Sequence, residues 1–274
     1  VTGEGDIGRA MSEHRGIDKI VFTGSTPTGR SIMASGAANL KRLTLEPGAP
    51  ARAMGLPDPD ADKTAAKIFA KAFGNSGQIC AAVKRVYVHD SLHDALADKL
   101  AEMARAAVVG AGSEAGSQFG PVQNRAQFDL VRTLADDARA QGGRFLAGGE
   151  PMDRDGYFFP LSIVVDVTDG MRVVDEEQFG PILPVIRYSD PEDALARANA
   201  NENGLGGSVW SSDVDAAIAL AQRLECGTAW VNDHASISPD APFGGAKQSG
   251  IGTEFGLYGL EEYMQLQTIR VAKI

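Results

Sequence analysis

The stretch "DKIVFTGSTPTGRSIMASGAANLKRLTLE", Asp18 to Glu46, decides the fold. Ile20, Val21 and Phe22 form a continuous apolar run, which predicts a buried strand running into a turn at Gly24. "TGRSIMASGAANL" then predicts a short helix, and "KRLTLE" the next strand. Strand, helix and strand in that order make the unit of a parallel sheet, and the alternation continues along the chain. The expected class is α/β with a mainly parallel sheet.

Beyond that unit, "PGAPARAMGLPDPDAD" (47–62) carries too many Pro and Gly for a helix and reads as a connector and a domain boundary. A helix follows with Ala66, Phe69 and Phe73 inward, ending at Gly74. "KRVYVH" (84–89) alternates as a strand. Ser91 with Asp94 reads as a capping-box start for a helix striped by Leu92, Leu96, Leu100, Met103 and Ala107. Asn124 with Gln127 opens another, with Phe128, Val131, Leu134 and Ala138 on one face and a stop at Gly142-Gly143. "SIVVDV" (162–167) and "ILPVIRY" (182–188) read as strands. Ser212 and Asp215 begin a helix with Ala217, Leu220, Ala221 and Leu224 inward, closed by Gly227 and followed by the strand "TAWVN" (228–232). The tail "YMQLQTIRVAK" (263–273) reads as a lone strand.

The 274 residues are enough for one large or two medium domains, and an apolar content of 43% can fill a core. A net charge of −10 argues against nucleic acid or an anionic membrane as the main partner. Cys80 and Cys226 are too far apart to suggest a disulfide framework, and a reduced, cytoplasmic setting is the simplest expectation. His14, His89, His93 and His234 form no ligand spacing, so no metal is expected. The chain opens in mid-pattern at Val1, which predicts a piece of something longer.

Five strings could carry chemistry. In "FGNSGQIC" (73–80), Gly74 and Gly77 let backbone approach a substrate, while Asn75 and Gln78 can pin the loop before Cys80. A thiol there needs a positive field or N–H donors to react. Taken alone it reads as a buried structural cysteine, as does Cys226. Glu46 ends a strand, where ligands of open α/β sheets bind, or is a solvated strand-end acid. "FTGSTPTG" offers Gly24, Ser25 and Gly29 around a helix start, whose N–H groups and hydroxyls suit a pyrophosphate, or is a tight strand–helix turn. "GEGDIG" (Gly3 to Gly8) matches a dinucleotide fingerprint by letters but lacks a preceding strand. "EEQFGP" (176–181) offers acids for ribose hydroxyls and Phe179 to flank a flat ring, or is an acidic surface loop. "PFGGAKQSGIGTEFG" (242–256) holds five glycines from Gly244 onward and reads as a shaped loop, with Phe243 as a pocket wall.

In order, "FTGSTPTG", "LTLEPG", "FGNSGQICAA", "EEQFGPILPV", "WVN" and "PFGGAKQSGIGTEFG" resemble the aldehyde dehydrogenase superfamily over essentially the whole chain. The resemblance implies part of a Rossmann-type dinucleotide-binding domain at 1–47, an α/β catalytic domain at 48–240, a glycine-rich return segment at 241–265 and an oligomerisation strand at 266–274. It implies Cys80 as nucleophile and Glu46 as base for the hydrolytic water. Gly24, Ser25, Gly29, Glu177 and Phe179 would bind NAD or NADP, and Phe73 and Phe243 would line the pocket of a small-molecule aldehyde substrate. It also implies a homo-oligomer, dimer or tetramer, in the full-length protein.

The resemblance departs at three places. Pro47, Ala49 and Pro50 stand where the family usually has Leu, Gly and Lys, and Pro47 restricts Glu46 away from helical backbone. Asn203 stands where the family often has Tyr. The family's long N-terminal segment, which supplies more of the dinucleotide fold and an oxyanion-hole amide, has no counterpart in this sequence. Two other functions stay open at this point, a CoA-acylating relative and a catalytically silent fragment acting as a binding or assembly module.

Overall fold

The computed structural model describes residues 2–48 and 51–273, so Ala49 and Pro50 lie outside the described residues. The chain divides into two units, one built from residues up to Pro47 together with those from Ile237 onward, the other from Gly48–Ser236.

In the first unit the deciding stretch folds as a β–α–β unit. Strands β1 (Lys19–Gly24) and β2 (Arg42–Pro47) pair in parallel, from Lys19 opposite Arg42 to Gly24 opposite Pro47. Helix α2 (Thr26–Gly36) crosses between them and starts at Ser25, whose Oγ accepts from the Thr28 N–H. Leu40, at φ 54°, turns the chain into β2. The strand β1 is not buried as its apolar run suggests: Val21 is 38% exposed, because β1 is the edge of a two-stranded sheet. "GEGDIG" starts helix α1 (Gly5–Glu13), so its glycines form no strand-to-helix turn. The return segment bridges to β2, with Leu45 and Ile251 exchanging N–H···O bonds of 2.8 and 2.9 Å. It ends in helix α9 (Gly256–Glu261). Residues 264–273 form no strand among the described residues, and Leu266, Ile269 and Val271 are exposed.

The second unit holds a seven-stranded sheet in the order β10-β9-β3-β4-β7-β6-β5. These are β10 (Thr228–Val231), β9 (Gly206–Trp210), β3 (Arg52–Gly55), β4 (Arg85–His89), β7 (Ile182–Tyr188), β6 (Ser162–Val165) and β5 (Arg144–Ala147). Every pair is parallel except β5 with β6. Strand alternation feeds two cores. Ala53, Val86, Val88 and Val185 pack with α3 (Ala61–Phe73) and α4 (Asp90–Ala106). Met54, Tyr87, Ile186 and Val209 pack with α5 (Arg125–Ala140), α7 (Pro191–Ala200) and α8 (Val214–Ala221). The first of these faces carries Phe73 at the end of α3, directly before the Cys80 loop.

Four local expectations need correction. The stretch read as a pure connector contains β3, a central strand, because four buried residues suffice between strong neighbours. Ala66 is exposed, and the inward face of α3 is Ala65, Ile68, Phe69, Ala72 and Phe73. Helix α4 is capped by His89, whose ring accepts from the Ser91 N–H, rather than by Ser91. Helix α8 is capped by Asp213, which accepts from the Ala216 N–H, rather than by Ser212. The Asn124 cap on Gln127 is as expected, at 2.8 Å.

Candidate active site

The Cys80 loop is held in an unusual backbone. Asn75, Ser76 and Gly77 lie in succession at φ 50°, 56° and 76°. Two non-glycine residues there are costly, roughly 1–3 kcal/mol each, so the surrounding bonds must impose the shape. Ser76 Oγ donates to the Gly120 carbonyl at 2.9 Å, and Gln78 Nε2 donates to the carbonyls of Asn75 and Pro121 at 3.2 Å. Gln78 Oε1 accepts from the Gln123 N–H at 2.8 Å, and Lys84 Nζ donates to the Gly77 carbonyl. Gln78 thus pins the loop as expected. Gly77 is required on two counts: its φ is positive, and a Cβ would stand 2.3 Å from the Gly180 carbonyl oxygen.

Cys80 follows in a turn and is half-buried. Burial raises its pKa, and the Glu177 carboxylate raises it further. The backbone N–H of Ala81, the Lys84 ammonium and its own N–H oppose that rise. Burial outweighs these donors and the one cation, so the thiol stays above its ordinary pKa, and the donors and Lys84 act only to limit that rise. Cys226 instead donates its S–H to the Thr228 carbonyl at 3.2 Å.

The "EEQFGP" loop stands against this one. The Glu177 carboxylate packs over Gly48, where a Cβ would meet its oxygens at 2.5 and 2.8 Å. Gln178 is fully buried and donates from Nε2 to the Val173 carbonyl and, at 3.3 Å, to that of Lys84. Phe179 has a left-handed φ of 39°, and the Lys84 ammonium lies 4.8 Å from its ring centroid. Behind Cys80, His234 is fully buried, within hydrogen-bond distance of Ser208 Oγ at 2.8 Å, and burial pushes its pKa down to about 3.

Phe73 does not line an open wall: its ring is 1% exposed and packs 5.0 Å from Phe69 in the core. The structure thus brings Cys80, Glu177 and Phe179 together in the second unit, joined by Lys84, Gln178 and His234, which sequence reasoning missed. Lys84 and Gln178 looked like ordinary polar residues of a strand lead and a loop, and His234 was weighed only as a metal ligand.

The first unit carries the remaining residues. Glu46 is the last residue but one of β2, opposite Thr23, in the extended backbone that Pro47 favours. It is 4% exposed, and burial together with the Glu254 carboxylate pushes its pKa up to about 8, against the Gly245 N–H, which lowers it. Phe243 is buried and exchanges backbone bonds with Glu254 at 2.7 and 2.8 Å. At the start of α2 the phosphate-binding expectation changes in kind. Pro27 has no N–H, the Thr28 N–H points to Ser25 Oγ at 3.4 Å, and the Gly29 N–H goes to the Ser25 carbonyl. What that helix end presents is a pair of exposed hydroxyls, Ser25 Oγ and Thr28 Oγ1, 2.9 Å apart. Gly29 is buried against Pro47 and Leu45, where a Cβ would make ordinary contacts at 3.4 and 3.9 Å. Among the described residues no group of three or more His, Cys, Asp and Glu could hold a metal, and no helix is long and apolar enough to cross a membrane.

The model of the aldehyde dehydrogenase family matches residues 1–269. The chain belongs to the aldehyde dehydrogenase family. Aldehyde dehydrogenase LUC3 from Fusarium sp is 40% identical over all of this chain and 59% of its own length. Human aldehyde dehydrogenase 1A1 is 37% identical over 96% of this chain and 53% of its own. Among solved structures, the NAD+ complex of aldehyde dehydrogenase from Bacillus cereus aligns with a TM-score of 0.94 at 38% identity, covering 97% of this chain and 54% of that one. Betaine aldehyde dehydrogenase from Staphylococcus aureus, also with NAD+, aligns at 0.92 and 34% identity, covering 96% of this chain and 53% of that one. The chain spans between half and three-fifths of the length of the relatives it matches. Its fold is that of the family, α/β with a Rossmann-like dinucleotide-binding part.

Proposed function

We infer that this aldehyde dehydrogenase chain carries the chemical residues for NAD(P)-dependent oxidation of an aldehyde to a carboxylic acid. The observation that carries the reading is the Cys80 turn, a thiol surrounded by N–H donors and Lys84 on a loop whose strained backbone is bonded at every residue from Ser76 to Gln78. The Cys80 sulfur adds to the aldehyde carbon, and the Cys80 backbone N–H donates to the resulting oxyanion. The dinucleotide, when bound, supplies a hydride acceptor. Cys80 then holds the acyl group as a thioester, and Glu46, raised to about 8, takes the proton of the hydrolytic water.

Ser25, with Gly24 before it and Gly29 in the first turn after it, suits the pyrophosphate: hydroxyl donors at a positive helix end attract an anion. Glu177 suits a ribose diol, and Phe179 the edge of a flat ring. Phe243 borders the aldehyde. A cytoplasmic homo-oligomer, formed through residues 266–274, completes the reading, with 48–240 as catalytic domain and 241–265 as return segment. The test is formation of NADH or NADPH at 340 nm by the 274-residue chain with NAD+ or NADP+ and a panel of aldehydes. Turnover that Cys80→Ser abolishes supports the reading, and no turnover with any aldehyde opposes it for this chain.

A further inference from the structure

We propose that Lys84 is a positioning residue of the Cys80 site: its ammonium ties the carbonyl of Gly77 to the loop that carries Phe179 and sets a positive charge against the loop that leads to Cys80. Three geometric observations carry this. Lys84 is 2% exposed, although a lysine is almost never so buried without a partner. Its Nζ donates to the Gly77 carbonyl, the last residue of the left-handed run that shapes the Cys80 loop. The same ammonium lies 4.8 Å from the centroid of the Phe179 ring, on a residue itself held at a left-handed φ of 39°.

The backbone of Lys84 is fixed independently, its N–H donating to the Ala51 carbonyl at 2.8 Å and its carbonyl accepting from Gln178 at 3.3 Å. The side chain therefore spans from a rigid strand lead to two strained loops. The titratable groups that face it are Glu177 and Cys80, and both raise its pKa, while burial lowers it to about 8. By reciprocity the Lys84 charge favours the Cys80 thiolate, against the opposing charge of Glu177.

The role rests on the reading of Cys80 as the nucleophile, but its test needs no aldehyde, dinucleotide or turnover. The measurement is the rate of iodoacetamide alkylation at Cys80 against pH, followed by peptide mass spectrometry so that Cys226 is scored separately. In Lys84→Met, whose folding is checked by circular dichroism, the alkylation midpoint rises by about one pH unit, so that alkylation at pH 7 slows about tenfold. Lys84→Arg, which keeps the charge, restores part of the shift. An unchanged midpoint in folded Lys84→Met overturns the proposal. Should that variant not fold, the lysine side-chain titration of the parent and of Cys80→Ser is compared by NMR. A lower Lys84 midpoint without the thiol supports the coupling, and an identical one overturns it. A chain that shows these shifts yet makes no NADH leaves Lys84 its role and removes the proposed function.

Discussion

Gly77 and Gly180 meet backbone to backbone: a Cβ on Gly77 would stand 2.3 Å from the Gly180 carbonyl oxygen and 2.8 Å from its carbon. Neither atom can swing aside, so the loop carrying Cys80 and the loop carrying Glu177 and Phe179 fit only while position 77 has no side chain. Gly77→Ala combines this clash with a φ of 76°. It lowers stability by about 2–4 kcal/mol and slows alkylation of Cys80 in whatever folded protein remains. Urea unfolding and alkylation rate, measured together, check both effects; a Gly77→Ala protein of parental stability contradicts the contact.

Glu46 titrates at about 8 in the folded chain against 4.5 when unperturbed. Between those values the unfolded chain has lost a proton that the folded chain keeps. The contribution of Glu46 to stability is therefore whole below about 4.5, falls as pH rises to about 8, and levels off above it. Glu46→Gln removes the fall. Denaturant midpoints of parent and variant converge near pH 4, and the variant is more stable by about 2 kcal/mol or more near pH 9.

The proposed role of Glu46 as base predicts a second profile. When Cys80 is acetylated with p-nitrophenyl acetate, deacylation by a base that ionises near 8 rises with pH and flattens above that value. Glu46→Gln deacylates at least about a hundredfold more slowly and loses that inflection. Stopped-flow release of p-nitrophenolate, burst against steady state, separates acylation from deacylation.

His234 runs in the opposite sense. Its folded pKa of about 3 lies below the unperturbed 6.5, so below pH 6.5 the unfolded chain binds a proton that the folded chain refuses. The contribution of His234 is whole above pH 6.5 and is lost as pH falls toward 3. Between pH 6.5 and 5, the parent loses about 2 kcal/mol more stability than His234→Phe, by chemical denaturation of both. Equal losses place a solvated, protonated imidazole at position 234.

How much of this was legible in the sequence depends on the range of the interaction. The β1–α2–β2 unit was readable because its apolar runs and the Gly-rich turn between them are local signals, although the helix starts at Thr26, two residues before the reading from Thr28. The run of turn residues before Cys80 was readable for the same reason. Strand β3 was not, because its place between β9 and β4 comes from distant partners while its own flanks are rich in Pro and Gly. Lys84 was read as the polar lead of an alternating strand. Its burial arises only when residues 77 and 179, far apart in sequence, close around it. Phe73, which the resemblance put on the pocket wall, lies on the inward face of α3 and packs in the core, a placement its own helical spacing with Phe69 already carried.

If Cys80 carries the acyl group of the oxidised aldehyde, the peptide mass spectrum of the chain, acid-quenched during reaction with NAD+ or NADP+ and an aldehyde, shows it directly. An acyl mass is expected on the peptide containing Cys80, none on the peptide containing Cys226, and none anywhere in Cys80→Ser. NADH or NADPH formation without an acyl group on Cys80, or at the parental rate in Cys80→Ser, would contradict that role.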